Sequence, residues 1–207
     1  MIAGAMGSAG SGPSGLSGRA PACDSSRAVR EGDAMGFHHL AIATRDIAAT
    51  HAFYTDAMGF RLEKVVAAKT PTGGWAKHLF YDTGGNGLIA FWDLHDASMP
   101  TDWSPAIAEG LGLPDWTNHI AFHADSLDEI ERCKQRWLAH GQDVAEIDHG
   151  WCTSIYTKDP NGILVEWCVT TREFTDADRE EALQRLRDPN PVLESSPRPT
   201  VFRASKE

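Results

Sequence analysis

Two histidines and one glutamate recur at matched places in this 207-residue chain. His39 opens the run His39-Leu-Ala-Ile-Ala-Thr-Arg-Asp46, and His119 opens His119-Ile-Ala-Phe-His-Ala-Asp125, each an apolar stretch ending in Asp ahead of a helical pattern. Further on, Asn161-Gly-Ile-Leu-Val-Glu166-Trp167 lies over Asn86-Gly-Leu-Ile-Ala-Phe91-Trp92, so the overlay sets Phe91 where Glu166 stands. Two pseudo-equivalent modules therefore offer two histidines and one carboxylate, the ligand set of an open mononuclear metal site. Neutral imidazole and carboxylate suit Fe(II), Mn(II), Zn(II) or Ni(II), and three protein ligands leave coordination positions for substrate and a second reactant.

The elements that must hold these residues are legible from caps and periodicity. Asp46 caps a helix over residues 47–58, stopped by Gly59, and Ser126-Leu-Asp-Glu129 is a capping box for a helix ended by Gly141. Strand patterns follow at 60–66, 77–81 and 88–94, and again at 142–147, 153–157 and 163–169, which predicts βαβββ twice. A turn centred near Asn161 makes residues whose numbers sum to about 322 face each other, which pairs Tyr156 with Glu166 on one face. The expected class is α+β, with modules over residues 36–94 and 117–170 in one domain over 36–170. Residues 1–35, rich in Gly and Ser, read as a disordered leader. Residues 171–207 read as a charged helix over 175–188 followed by an extended proline-rich tail.

With 19 Lys plus Arg against 29 Asp plus Glu, the chain carries a formal charge of −10. That balance, with no basic run, argues against nucleic acid as a partner. No apolar stretch reaches the roughly 20 residues that span a bilayer, and a cytoplasmic location is expected. The four cysteines Cys23, Cys133, Cys152 and Cys168 have neither the spacing of a zinc knuckle nor that of a disulfide framework, and are expected as free thiols.

On His39, His119 and the run Ser154-Ile-Tyr-Thr-Lys-Asp-Pro-Asn-Gly-Ile-Leu-Val-Glu166, the chain resembles the vicinal oxygen chelate superfamily. That family includes glyoxalases, bleomycin-resistance proteins, epimerases and type I extradiol dioxygenases. The resemblance implies two βαβββ modules curled into a half-barrel, with a divalent metal on its concave face. Four-ligand relatives place Glu or Gln where the overlay puts Phe91, so this chain is closer in motif to the three-ligand extradiol enzymes. Those carry a tyrosine ten residues before the glutamate ligand, as Tyr156 is to Glu166, and hydroquinone-cleaving relatives have a basic residue near the place of His149.

The resemblance thus implies an Fe(II)-dependent, or Mn(II)-dependent, ring-cleaving dioxygenase acting on a small dihydroxylated aromatic and dioxygen. Tyr156 and His149 would be the catalytic residues; His78, Phe91, Trp75 and Trp151 would contact substrate; a homodimer or higher homo-oligomer is expected. Two alternatives stand beside it: a metal-dependent lyase or isomerase of glyoxalase or epimerase type, and a drug- or aromatic-binding resistance protein. His38, next to His39, is expected on the opposite face of its strand.

Overall fold

The computed structural model describes residues 37–205, so the expected leader lies outside the described residues. The first repeat folds as β1 (His39–Thr44), α1 (Ile47–Ala52), β2 (Arg61–Lys69), β3 (Trp75–Asp82) and β4 (Leu88–His95). A linker carrying the one-turn helix α2 (Ile107–Gly110) leads to the second repeat. It comprises β5 (His119–His123), α3 (Leu127–Ala139), β6 (Val144–Asp148), β7 (Cys152–Lys158) and β8 (Leu164–Thr170). Beyond it lie α4 (Asp176–Arg187) and β9 (Thr200–Phe202). The strands form one sheet in the order β1-β4-β3-β2 and a second in the order β5-β8-β7-β6-β9.

The caps act as their residue types require. The Asp46 carboxylate accepts from Ala49 N at 2.9 Å, and the Ser126 hydroxyl accepts from Glu129 N at 3.2 Å. The return bond of the second cap reaches one residue further than a capping box does, because the Glu129 carboxylate takes the Asp125 N–H. After α1 the helix widens into a π-turn over Phe53–Ala57 before Gly59 leaves it at φ +78°.

The hairpin registers decide which side chains share a face. Tyr156 pairs with Glu166 across β7 and β8, as the turn arithmetic predicts. In the parallel pairs His119 lies beside Leu164 and His39 beside Leu88, so Glu166 is two residues past the partner of His119 and Ala90 two past the partner of His39. The residue equivalent to Glu166 is therefore Ala90, and the overlay that chose Phe91 is one residue out. The cause is the turn chemistry. Asn86, at φ 64°, fills the left-handed position that Gly162 fills at φ +77°, so the two Asn-Gly dipeptides sit at different places in equivalent turns. With a side-chain period of two, a one-residue slip moves a residue to the opposite face.

One core joins the modules. Ile42, Leu79, Tyr81, Ile89 and Phe91 from the first sheet meet Ile155, Val165, Trp167 and Val169 from the second, with Tyr54, Phe60, Ile130 and Trp137 between them. Buried polar bonds pin the same interface: the Tyr54 hydroxyl donates to Asp159 at 3.1 Å and Asn161 Nδ2 donates to Thr50 at 3.2 Å. By alternation, His39, His78 and Phe80 on one sheet and His119, Tyr156 and Glu166 on the other occupy the faces turned away from this core.

The tail is extended, and its end pairs with the domain, which the residues did not signal. Thr200-Val-Phe202, a run of good strand formers, adds β9 to the edge of β6. Phe202 packs against the core beneath the Lys134 ammonium, 4.3 Å from its ring, and Arg203 pairs with Asp143 at 2.6 Å. The charged helix forms as α4, with no buried residue, tied at its start by the Arg172–Asp178 pair.

Candidate metal and proton-transfer site

Four side chains form a continuous line of polar contacts on the outer face of the second sheet. His149 Nε2 lies 3.0 Å from the Tyr156 hydroxyl, that hydroxyl lies 3.1 Å from Glu166 Oε1, and Glu166 Oε2 lies 3.2 Å from His119 Nε2. Glu166 comes from β8, an interior strand flanked by β5 and β7, and has 4% of its surface exposed. Burial also pushes the Tyr156 phenol well above its ordinary pKa, and the neighbouring Glu166 carboxylate raises it further. Tyr156 is therefore a protonated donor to Glu166, and His149 Nε2 must donate to the phenol oxygen in turn.

The tautomer of His119 tests whether this site fits a metal. Its Nδ1 lies 3.1 Å from the Trp116 carbonyl, which can only accept, so Nδ1 carries a proton. Nε2 then lies 3.2 Å from Glu166 Oε2, so two metal-donor atoms stand side by side. Two ligands at about 2.1 Å and a right angle stand about 3.0 Å apart, so the observed spacing suits a shared metal ion. A histidine oriented through its other nitrogen by a carbonyl is the usual support of such a ligand.

His39 does not join them within the chain. It lies on the outer face of the first sheet, where its ring is 6.1 Å from His78 and 5.5 Å from Phe80, and its Nδ1 is 2.8 Å from that of His38. Among the described residues no group of three potential ligands converges. The separation follows from the fold: each histidine begins an edge strand of its own sheet, and the sheets meet through their opposite faces. His38 precedes β1 and turns to its neighbour's side, which departs from the expected strand alternation.

The expected substrate contacts divide. His78 shares the face of His39, stacked 3.7 Å from Trp92, and its Nε2 is buried with no hydrogen-bond partner among the described residues. Burial, with His39 nearby, lowers its pKa. Trp151 lies exposed in the turn between His149 and β7, and its ring contact is with Phe174 at 5.2 Å rather than with the site residues. Phe91 is a correction: it is fully buried, 4.5 Å from the Tyr54 ring, on the core side of β4. Trp75 is another, since it stacks on His95 at 3.8 Å and alternates with His78 along β3, away from the face of His39. Sequence reasoning missed the Trp116 carbonyl, which has no side-chain signal, and Ala90, which the misplaced overlay concealed.

A two-module α+β chain presenting an imidazole and a carboxylate from the first and last strands of a module defines a glyoxalase-like protein of the vicinal oxygen chelate fold. Residues 36–167 match the Glyoxalase/Bleomycin resistance protein/Dioxygenase superfamily, and the chain belongs to that family. A glyoxylase/bleomycin resistance protein/dioxygenase domain from Frankia sp. EAN1pec is 18% identical, with a TM-score of 0.50, covering 65% of this chain and 97% of that one. A lactoylglutathione lyase from Agrobacterium tumefaciens is 23% identical, with a TM-score of 0.44, over 65% of this chain and 93% of that one. A fosfomycin resistance protein from Listeria monocytogenes is 19% identical, with a TM-score of 0.44, over 70% and 97%. At these identities the likeness is one of fold. No curated protein sequence matches. No helix among the described residues is long and apolar enough to cross a membrane.

Proposed function

We propose that the protein is a homodimeric, divalent-metal-dependent ring-cleaving dioxygenase of extradiol type, acting on a small dihydroxylated aromatic. The reading rests on the line His149–Tyr156–Glu166–His119, which sets a proton-handling pair directly beside two metal donors. Fe(II), or Mn(II), would be held by His119 and Glu166 of one copy and His39 of a second, and would supply acidification of the substrate hydroxyl and electron exchange with dioxygen. The dimer is part of the reading because β1 and β5 are outer edge strands whose histidines face away from the core. A two-fold axis that sets β1 of one copy beside β5 of the other brings the three ligands together twice, as an isologous interface requires.

The chain's own residues then have defined tasks. Tyr156 turns its one hydroxyl proton from Glu166 to a substrate oxygen and so orients it, and His149, which donates to the phenol oxygen, holds or returns the proton. Ala90, at the place equivalent to Glu166, supplies neither a fourth ligand nor a carboxylate base, which favours this chemistry over an isomerase that needs one there.

Mixing two defective variants tests the site and the dimer together. His39→Ala and Glu166→Ala should each lose stoichiometric metal. In a 1:1 mixture, half the dimers are mixed and each has one intact site, so metal content and oxygen uptake with catechol should recover to about a quarter of wild type. Metal retained in either variant alone, or no recovery in refolded mixtures, overturns the shared site. Restored metal without oxygen uptake across catechols and hydroquinones overturns the dioxygenase assignment.

A further inference from the structure

Val201, Ala145, Tyr156, Glu166 and Ala121 form one cross-strand row, each directly opposite the next on β9, β6, β7, β8 and β5. Residues opposite one another on neighbouring strands share a face, so this row runs from the ligating carboxylate past the phenol to the C-terminal strand. At about 4.8 Å per strand, Glu166 and Val201 lie roughly 14 Å apart. Beyond Tyr156 the row floors an open cavity of about 740 Å³, lined also by Leu164, Lys158 and Ala204. A cavity of about 150 Å³ already admits a benzene ring, so this trough exceeds what a single-ring head group fills.

The trough favours an apolar occupant. Ala145, Val201 and Leu164 floor it, beside the uncharged polar Gln142, Thr157 and Ser205. The charged groups on its rim are already matched: Lys158 pairs with Asp115 at 3.0 Å and Glu109 at 3.4 Å, and Arg203 with Asp143 at 2.6 Å. Without β9 the floor would stop at Ala145. The strand is held firmly enough to act as a wall, since the Asp143 carboxylate takes both the Arg203 guanidinium and the Ala204 N–H, and Phe202 packs against the core.

We propose that this trough is a substrate subsite for an apolar substituent, an alkyl chain or a second ring, and that β9 is its specificity wall. The inference rests on the proposed metal site, because a head group held at Glu166 and Tyr156 sets the direction of the substituent. A substrate of this class spans the row from Glu166 to Val201. β9 then selects for length by closing the far end.

The test is a calorimetric titration of the full-length, Mn(II)-loaded protein under argon with catechol and with 4-hexylcatechol. Each buried methylene contributes up to about fourfold, so the hexyl compound should bind at least about 10²-fold more tightly even with part of the chain exposed. Val201→Trp, on a half-exposed edge strand, and Ala145→Phe each fill the trough and should reduce that ratio to within about threefold, with far-UV spectra confirming the fold. An absent hexyl preference in the wild type, or a preference that survives both substitutions, overturns the subsite. A hexyl preference that is lost in Val201→Trp but indifferent to Mn(II) upholds the trough and overturns the metal reading alone.

Discussion

Tyr156 and Glu166 stand directly opposite each other on β7 and β8, and the phenol donates a 3.1 Å hydrogen bond to the carboxylate. The pairing makes the tyrosine a hydrogen-bond donor rather than a base, because burial and the adjacent negative charge both hold its proton. Tyr156→Phe should therefore keep the fold and stoichiometric metal but lower kcat by about 10²–10⁴-fold, the scale of positioned proton transfer. Metal analysis and oxygen uptake on the same preparation check it. A full-rate phenylalanine variant would show the hydroxyl to be a structural partner of Glu166 only.

Glu166 serves metal binding and stability together. It is buried and accepts the Tyr156 hydroxyl, so Glu166→Ala removes a ligand and leaves a half-buried donor without its acceptor. The metal-free variant should be about 1–3 kcal/mol less stable than the metal-free wild type, read from urea unfolding. Added Mn(II) should raise Tm in the wild type and leave the variant unmoved. An equal metal-induced rise in both would place the metal elsewhere.

The pseudo-symmetric positions give a paired substitution with opposite outcomes. Phe91 is sealed in the core beside Tyr54 and Tyr81, so Phe91→Glu removes aromatic packing and buries a charge, together more than about 5 kcal/mol and comparable to the whole stability of a domain. It should yield insoluble or unfolded protein. Ala90→Glu instead sets a carboxylate on the face of His39 and should tighten metal binding while suppressing oxygen uptake. Soluble, metal-binding Phe91→Glu would contradict the hairpin register.

That contrast also shows how far the fold and site were legible in the residues themselves. The repeat, the caps at Asp46 and Ser126, and the Tyr156–Glu166 pairing follow from spacing and turn chemistry, because each depends on neighbours in the chain. The first hairpin misleads because Asn shares the left-handed region with Gly, so Asn86 takes the place that Gly162 occupies and the dipeptides fall out of phase. Two features had no local signal at all. The separation of His39 from His119 is set by which sheet faces pack together. The pairing of β9 with β6, 56 residues apart between Val201 and Ala145, is a tertiary choice by a three-residue segment behind prolines.

The contact between modules has its own chemical signature in Asp159. This buried carboxylate accepts from Asn161 N at 2.9 Å, Ile163 N at 2.8 Å, Asn161 Nδ2 at 3.0 Å and the Tyr54 hydroxyl at 3.1 Å, tying the β7–β8 turn to the first module. Asp159→Ala leaves those donors without an acceptor and should cost about 2–4 kcal/mol, read from urea unfolding. Burial pushes the Asp159 carboxyl up, against the pull of its donors. An acid whose folded pKa is raised binds its proton more tightly when folded, so its contribution to stability is greatest at low pH and is lost as pH rises through the folded value. The stability of the wild type relative to Asp159→Asn should accordingly grow as pH falls from neutrality toward about 4, the ordinary carboxylate value. A difference that shrinks over that interval would mean that the four donors outweigh burial and that Asp159 is charged in the folded protein throughout.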